Sequence, residues 1–166
     1  MTDIGITVPD MVLVPLNDLL SCVCAEVNAV KPVCECMIVP GFEAAWYYCG
    51  GCEGDEPCGM AWVNLTNTFP YETFPVPSLD PRCRLPLAMV AQIGVVRCMP
   101  MPAADGTPPP TADMEEATVL QMADMWALYR AVVCCGVTYK AIGQWTSLGP
   151  DGDCVGGMWT VSLAVE

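Results

Sequence analysis

Apolar residues recur at helical spacing in two stretches of the chain and alternate, or run almost unbroken, in several others. From Val14 to Val30, Leu16, Leu19, Leu20, Val23, Val27 and Val30 share one face at i, i+3, i+4, i+7 spacing, which predicts a first helix. Pro15 suits its first turn and Pro32 ends it. The longest helical signal runs from Thr111 to Cys135. Met114, Ala117, Leu120, Ala123 or Asp124, Leu128 and Ala131 recur there near helical spacing, and Met125, Val132 and Cys135 widen the stripe. The lead-in Thr107-Pro108-Pro109-Pro110 cannot be helical and makes Thr111 the expected N-cap, its hydroxyl accepting a first-turn N–H. Asp113, Glu115 and Glu116 put negative charge at the positive end of the helix dipole, and Gly136 offers a left-handed stop. A helix of that length reaches ~37 Å and its apolar stripe needs a sheet to cover it.

The strand signals lie between and after these helices. Residues 33–49 are β-rich with a Pro40-Gly41 turn, and 50–59 read as a loop. Met60 to Phe69 alternates in part, with Trp62, Asn64, Thr66 and Thr68 on one face and Val63, Leu65 and Phe69 on the other. Prolines at 70, 75, 77, 81 and 86 make 70–86 an extended loop or arm. Leu87 to Cys98 is apolar on both faces apart from Gln92 and Arg97, the pattern of a central strand covered on both sides. After a Pro/Gly linker over 99–110 and the long helix, Thr138–Leu148 and Met158–Val165 read as strands joined by a turn at 149–153. The expectation is a single α+β domain over residues 1–166, its first ten residues forming an arm. Its small mixed or antiparallel sheet carries an N-terminal helix and a long second helix packed on it.

Composition sharpens this picture. The chain is 54% hydrophobic with a mean hydropathy of +0.42, yet no apolar run approaches the ~20 residues of a membrane span. The first ten residues lack the basic and apolar regions of a signal peptide. Such apolarity without a span points to surface buried in an oligomer. The net charge of −13 and the scattered Lys31, Arg82, Arg84, Arg97, Arg130 and Lys140 disfavour tight nucleic-acid binding. There is no histidine, which removes His-dependent nucleophilic catalysis and His-ligated metals. Asp113, Glu115, Glu116 and Asp124 read as a solvated helix face, and Glu53, Asp55 and Glu56 lack calcium-loop spacing. Nucleotide and hydrolase motifs are absent. Trp46, Tyr47, Trp62, Trp126, Trp145 and Trp159 read as core or interface. No catalytic residue and no cofactor are expected.

The twelve cysteines carry the remaining chemistry. Cys49-Gly-Gly-Cys52 with Cys58 is the sharpest local signal. Disulfides among Cys34, Cys36, Cys49, Cys52, Cys58 and Cys83 are the leading reading. A structural zinc at Cys49, Cys52 and Cys58, completed by Cys83 or Cys36, is the alternative, and with it a small zinc-binding interaction module. A second group of candidate disulfides joins Cys98, Cys134, Cys135 and Cys154, which a sheet edge could gather. Cys22 and Cys24 face different directions on the first helix and read as small core residues.

Three stretches together resemble a known family. They are Gly41-Phe-Glu-Ala-Ala-Trp46 before the cysteine loop, Ile93-Gly-Val-Val-Arg-Cys98 before the linker and long helix, and Gly143 to Pro150 running on to Asp153-Cys154-Val-Gly-Gly-Met-Trp159. They look like the tail-terminator (tail-completion) proteins of siphophages that infect actinobacteria. The element order is similar to the tail-terminator fold of lambda-like phages. The resemblance implies a virion protein of the neck, assembled in the host cytoplasm. It implies a ring, typically a homohexamer, that caps the head-proximal end of the tail tube and ends tube polymerisation. Its partners would be other copies of itself, the tail-tube protein and the head-side connector or stopper. DNA would pass through the lumen without specific binding, and no membrane is involved. A head-side connector or stopper is the alternative within the same class.

Overall fold

The computed structural model describes residues 10–41, 59–79, 85–137, 140–151 and 153–165. In chain order these form α1 (Asp10–Val30), β1 (Glu35–Ile38), β2 (Met60–Thr73), β3 (Val76–Pro77), β4 (Leu87–Cys98), α2 (Thr111–Cys134), β5 (Lys140–Asp151) and β6 (Cys154–Val165). The fold is α+β, as the hydrophobic pattern predicts. Five strands lie in the order β1-β2-β4-β6-β5, and β3 folds back on the far end of β2. Only β1 pairs in parallel, with β2; every other described pairing is antiparallel.

β4 takes the middle of the sheet because it has nothing polar to show to water over most of its length. It pairs with β2 on one side and β6 on the other, with Ile93 opposite both Val63 and Trp159. Along this row Ala61, Val63, Met89, Ala91, Ile93, Val95, Val161 and Leu163 point to one face. There they meet Leu16, Leu19, Val23 and Val27 of α1 and Leu128, Ala131 and Val132 of α2. The two helices lie side by side on that face, α1 mainly over β2 and α2 over β6. Part of the opposite face is closed too. Trp62 lies flat against Gly94, where any added Cβ would overlap the indole ring, and Met60, Val96 and Val39 complete a second apolar cluster.

Several element boundaries differ from those read in the sequence. α1 begins at Asp10, so Pro15 sits inside the helix instead of in its first turn, and costs one hydrogen bond to the first-turn carbonyls. Thr111 is not the N-cap of α2. Pro110 holds that position, and its carbonyl accepts from Asp113 and Met114 at 3.1 and 3.3 Å without a side-chain cap. Nor does Gly136 stop the helix in a left-handed turn. Cys135 already has extended backbone (φ −65°, ψ 142°), and the Lys140 ammonium donates to the carbonyls of Val133 and Cys135 at the helix end. Residues 70–77 are not irregular: β2 continues through Pro70, and the turn at 74–75 returns β3 alongside Tyr71 and Thr73. The closing strands differ in extent from those expected, β5 running on to Asp151 and β6 starting already at Cys154. Of the proposed N-terminal arm, only Asp10 is described.

Candidate functional site

Buried polar groups, cysteines and exposed apolar surface are the features of the described residues that can carry chemistry or contacts. The strongest buried polar group is Arg97 on β4. Its guanidinium grips the Asp124 carboxylate of α2 through Nε (2.6 Å) and Nη2 (2.8 Å), and donates to the carbonyls of Lys31 and Pro32 at the end of α1. Both side chains are almost fully buried. Asp124 is therefore not part of a solvated acidic face. It points inward because its partner is the cation that interrupts β4. With four donors committed and both carboxylate oxygens bonded, this pair locks β4, α1 and α2 together. On the other sheet face, the Asn64 amide donates to the Gly41 carbonyl at 3.0 Å and its oxygen accepts from the Gln92 N–H. Trp62 Nε1 is buried there without a hydrogen-bond partner among the described residues.

Cys22 and Cys135 pair differently from the sequence reading. They form a disulfide, with Cα atoms 5.8 Å apart, that ties α1 to the end of α2. Cys22 is thus a bonded residue and not a core thiol, and Cys135 does not join Cys98, Cys134 or Cys154. Alignment of the neighbouring helices decides this: Cys135 faces α1 and not the β4–β6 edge. Cys134 and Cys154 keep free thiols, although Cys154 stands opposite Cys98 in the β4–β6 register. Cys34 and Cys98 are each disulfide-bonded. Cys36 is free and meets Cys24 of α1 through a side-chain hydrogen bond. That bond holds the Cys36 thiol below the ordinary range and pushes Cys24 up. Burial, and then the charges of Asp153 and Asp151, push the Cys154 thiol up. Among the described residues no three potential ligands converge on a metal-sized site. Cys49, Cys52, Cys58 and Cys83, and with them the zinc alternative, lie outside the described residues, as do Trp46, Tyr47, Glu53, Asp55 and Glu56.

What the surface does present is apolar area. The β2–β3 hairpin carries Val76 (61% exposed) and Leu79 (97%) beyond the sheet, on a base stiffened by the edge-to-face pair Tyr71–Phe74. Met11 and Val14 are half-exposed where α1 starts. At the opposite side of the sheet β5 is an edge strand whose only charged residues are Lys140 and Asp151, at its two ends. Its outward backbone groups have no strand partner among the described residues. α2 shows Val119, Met122, Trp126 and Val133 to the outside. Asp113, Glu115 and Glu116 are exposed in its first turns, as expected. Of the outer α2 positions the sequence reading named only Trp126, as core or interface; Val119, Met122 and Val133 lie off the stripe it followed. No protein-family model matches this chain, and no curated protein matches its sequence.

Proposed function

We propose that the chain is a structural ring subunit of a phage neck, capping the head-proximal end of the tail tube, ending tube growth and joining the tail to the head-side connector. The observation that carries this reading is the placement of two unlike surfaces at opposite sides of one sheet. The apolar β2–β3 arm extends from the β1–β2 side, and the open, nearly uncharged β5 edge closes the other. Unlike surfaces meet head to tail, and head-to-tail contacts close into rings when the rotation between copies allows it. The net charge of −13 suits a lumen through which DNA slides without sticking. An open mixed sheet with two helices favours a terminator over a mostly β stopper or a nearly all-helical adaptor. No described helix is long and apolar enough to cross a membrane.

The decisive measurement is assembly. Light scattering and negative-stain microscopy of the concentrated full chain should give a ring, six copies being the expected number. Adding it to polymerising tail-tube protein should shorten the tubes. A protein that stays monomeric at high concentration and in assembled particles would sink the reading.

A further inference from the structure

α2 is apolar on two opposite sides. Asp124, Ala127, Leu128, Ala131 and Val132 are buried toward the sheet and α1. Val119, Met122, Trp126 and Val133 point the other way, 65%, 61%, 57% and 47% exposed, with the half-buried Tyr129 among them. The five outer positions follow the alternating 3-and-4 spacing of a coiled-coil seam. A helix with apolar residues all round is a buried helix, and among the described residues nothing covers the outer side of this one. Between Glu116 and Arg130 the only charged residue is Asp124, which is buried. Charge is confined to the ends of the seam: Glu115 and Glu116 at one, Arg130 at the other.

That charge pattern selects the occupant. We propose that α2 pairs with α2 of a second copy, antiparallel across a two-fold axis. In this arrangement Met122 packs on the partner's Trp126 and Val119 on the partner's Tyr129. Glu116 and Arg130 hold equivalent flanking positions fourteen residues apart, so each Glu116 meets the partner's Arg130, twice per pair. A parallel pair would bring like charges together instead. Arg130 already touches Glu26 through Nη2, and its fork has further donors for a second carboxylate. Trp126 is the anchor: it stacks on Tyr129 at 5.2 Å, and Tyr129 lies 6.0 Å from Trp159, whose indole N–H is fixed on the Met125 carbonyl. A rigid, half-exposed aromatic binds at little entropic cost. The seam from Val119 to Val133 spans only ~21 Å, so the pair should be weak, with a dissociation constant on the order of 1–100 μM.

This contact uses like surfaces and stops at two copies. It is therefore separate from the head-to-tail contact proposed for the ring, and does not rest on it. The test is sedimentation equilibrium of the full chain across that concentration range, in a Val76→Asp, Leu79→Asp background if larger assemblies form. The expected result is a monomer–dimer equilibrium that Trp126→Asp weakens at least about thirty-fold, with circular dichroism unchanged. Glu116→Arg and Arg130→Glu should each weaken it, and the double variant Glu116→Arg/Arg130→Glu should recover most of the loss, because the antiparallel geometry restores both ion pairs. A chain that is monomeric at several hundred micromolar overturns the proposal. So does a dimer indifferent to Trp126→Asp, or a double variant no better than the single ones. Loss of rings with the α2 pair intact would count against the ring reading alone.

Discussion

Arg97 and Asp124 show how one residue pair can fix an architecture. A lone arginine in an otherwise apolar strand would be ruinous if unpaired, and the cost is offset only because a carboxylate and two helix-end carbonyls converge on it. Arg97→Met should therefore lower unfolding stability by about 3–5 kcal/mol in urea titration, since it strands Asp124 in the interior. Joining it with Asp124→Leu should recover much of that loss. A single-variant loss below about 1 kcal/mol would show that water reaches the pair. The free thiols make a second set of expectations. Cys36 accepts the hydrogen bond from Cys24, so its thiolate forms at lower pH than an ordinary thiol's. Cys154 is pushed the opposite way by burial and by Asp153 and Asp151. As pH is raised toward the usual thiol range, alkylation mapped by mass spectrometry should label Cys36 first and Cys154 later. Equal labelling of the two would contradict the hydrogen-bond assignment.

At the scale of elements, the joint between α1 and α2 is what holds the helical layer as a unit. Leu16, Leu19, Val23 and Val27 follow the 3–4 rhythm that the sequence displayed, and each is buried as that rhythm requires. The disulfide adds a covalent closure between residues 113 apart in sequence. On chain-entropy grounds, Cys22→Ser should cost up to about 5 kcal/mol under oxidising conditions. The difference from the unsubstituted chain should shrink once both are fully reduced, which thermal melts with and without reductant would read. Proline placement was less informative than usual. Pro15 stands within α1, and Pro70 within β2, where Tyr71 rather than Pro70 donates to the Pro86 carbonyl. A proline marks a missing donor, and here the neighbours' donors keep each element going.

For the whole molecule, the question is what the exposed apolar area is for. Val76 and Leu79 touch little of their own chain, so Val76→Asp with Leu79→Asp should leave the melting free energy within about 0.5 kcal/mol. The same change should abolish rings if the arm is a head-to-tail contact. Comparing thermal unfolding with particle mass on that one variant separates folding from assembly. A large loss of stability would place the arm in the subunit's own core.

Periodicity alone determined the fold class, the buried face of α1, the extent of β4 and its central position. These follow from local chemistry: a strand with no polar face must lie between two others, and a 3–4 stripe must meet a layer. The resemblance of three stretches to tail-terminator proteins supplied the functional expectation. Tertiary structure decided the rest. Cys135 could be assigned to a sheet edge or to α1 only once the helices were aligned side by side. Asp124 looked like one more helix acid because the sequence cannot say that Arg97, 27 residues away, ends beneath it. Outer α2, apart from Trp126, escaped notice for a related reason. A stripe of Met, Val and Trp has the same composition whether it faces the core or open surface, and only the position of the sheet tells the two faces apart.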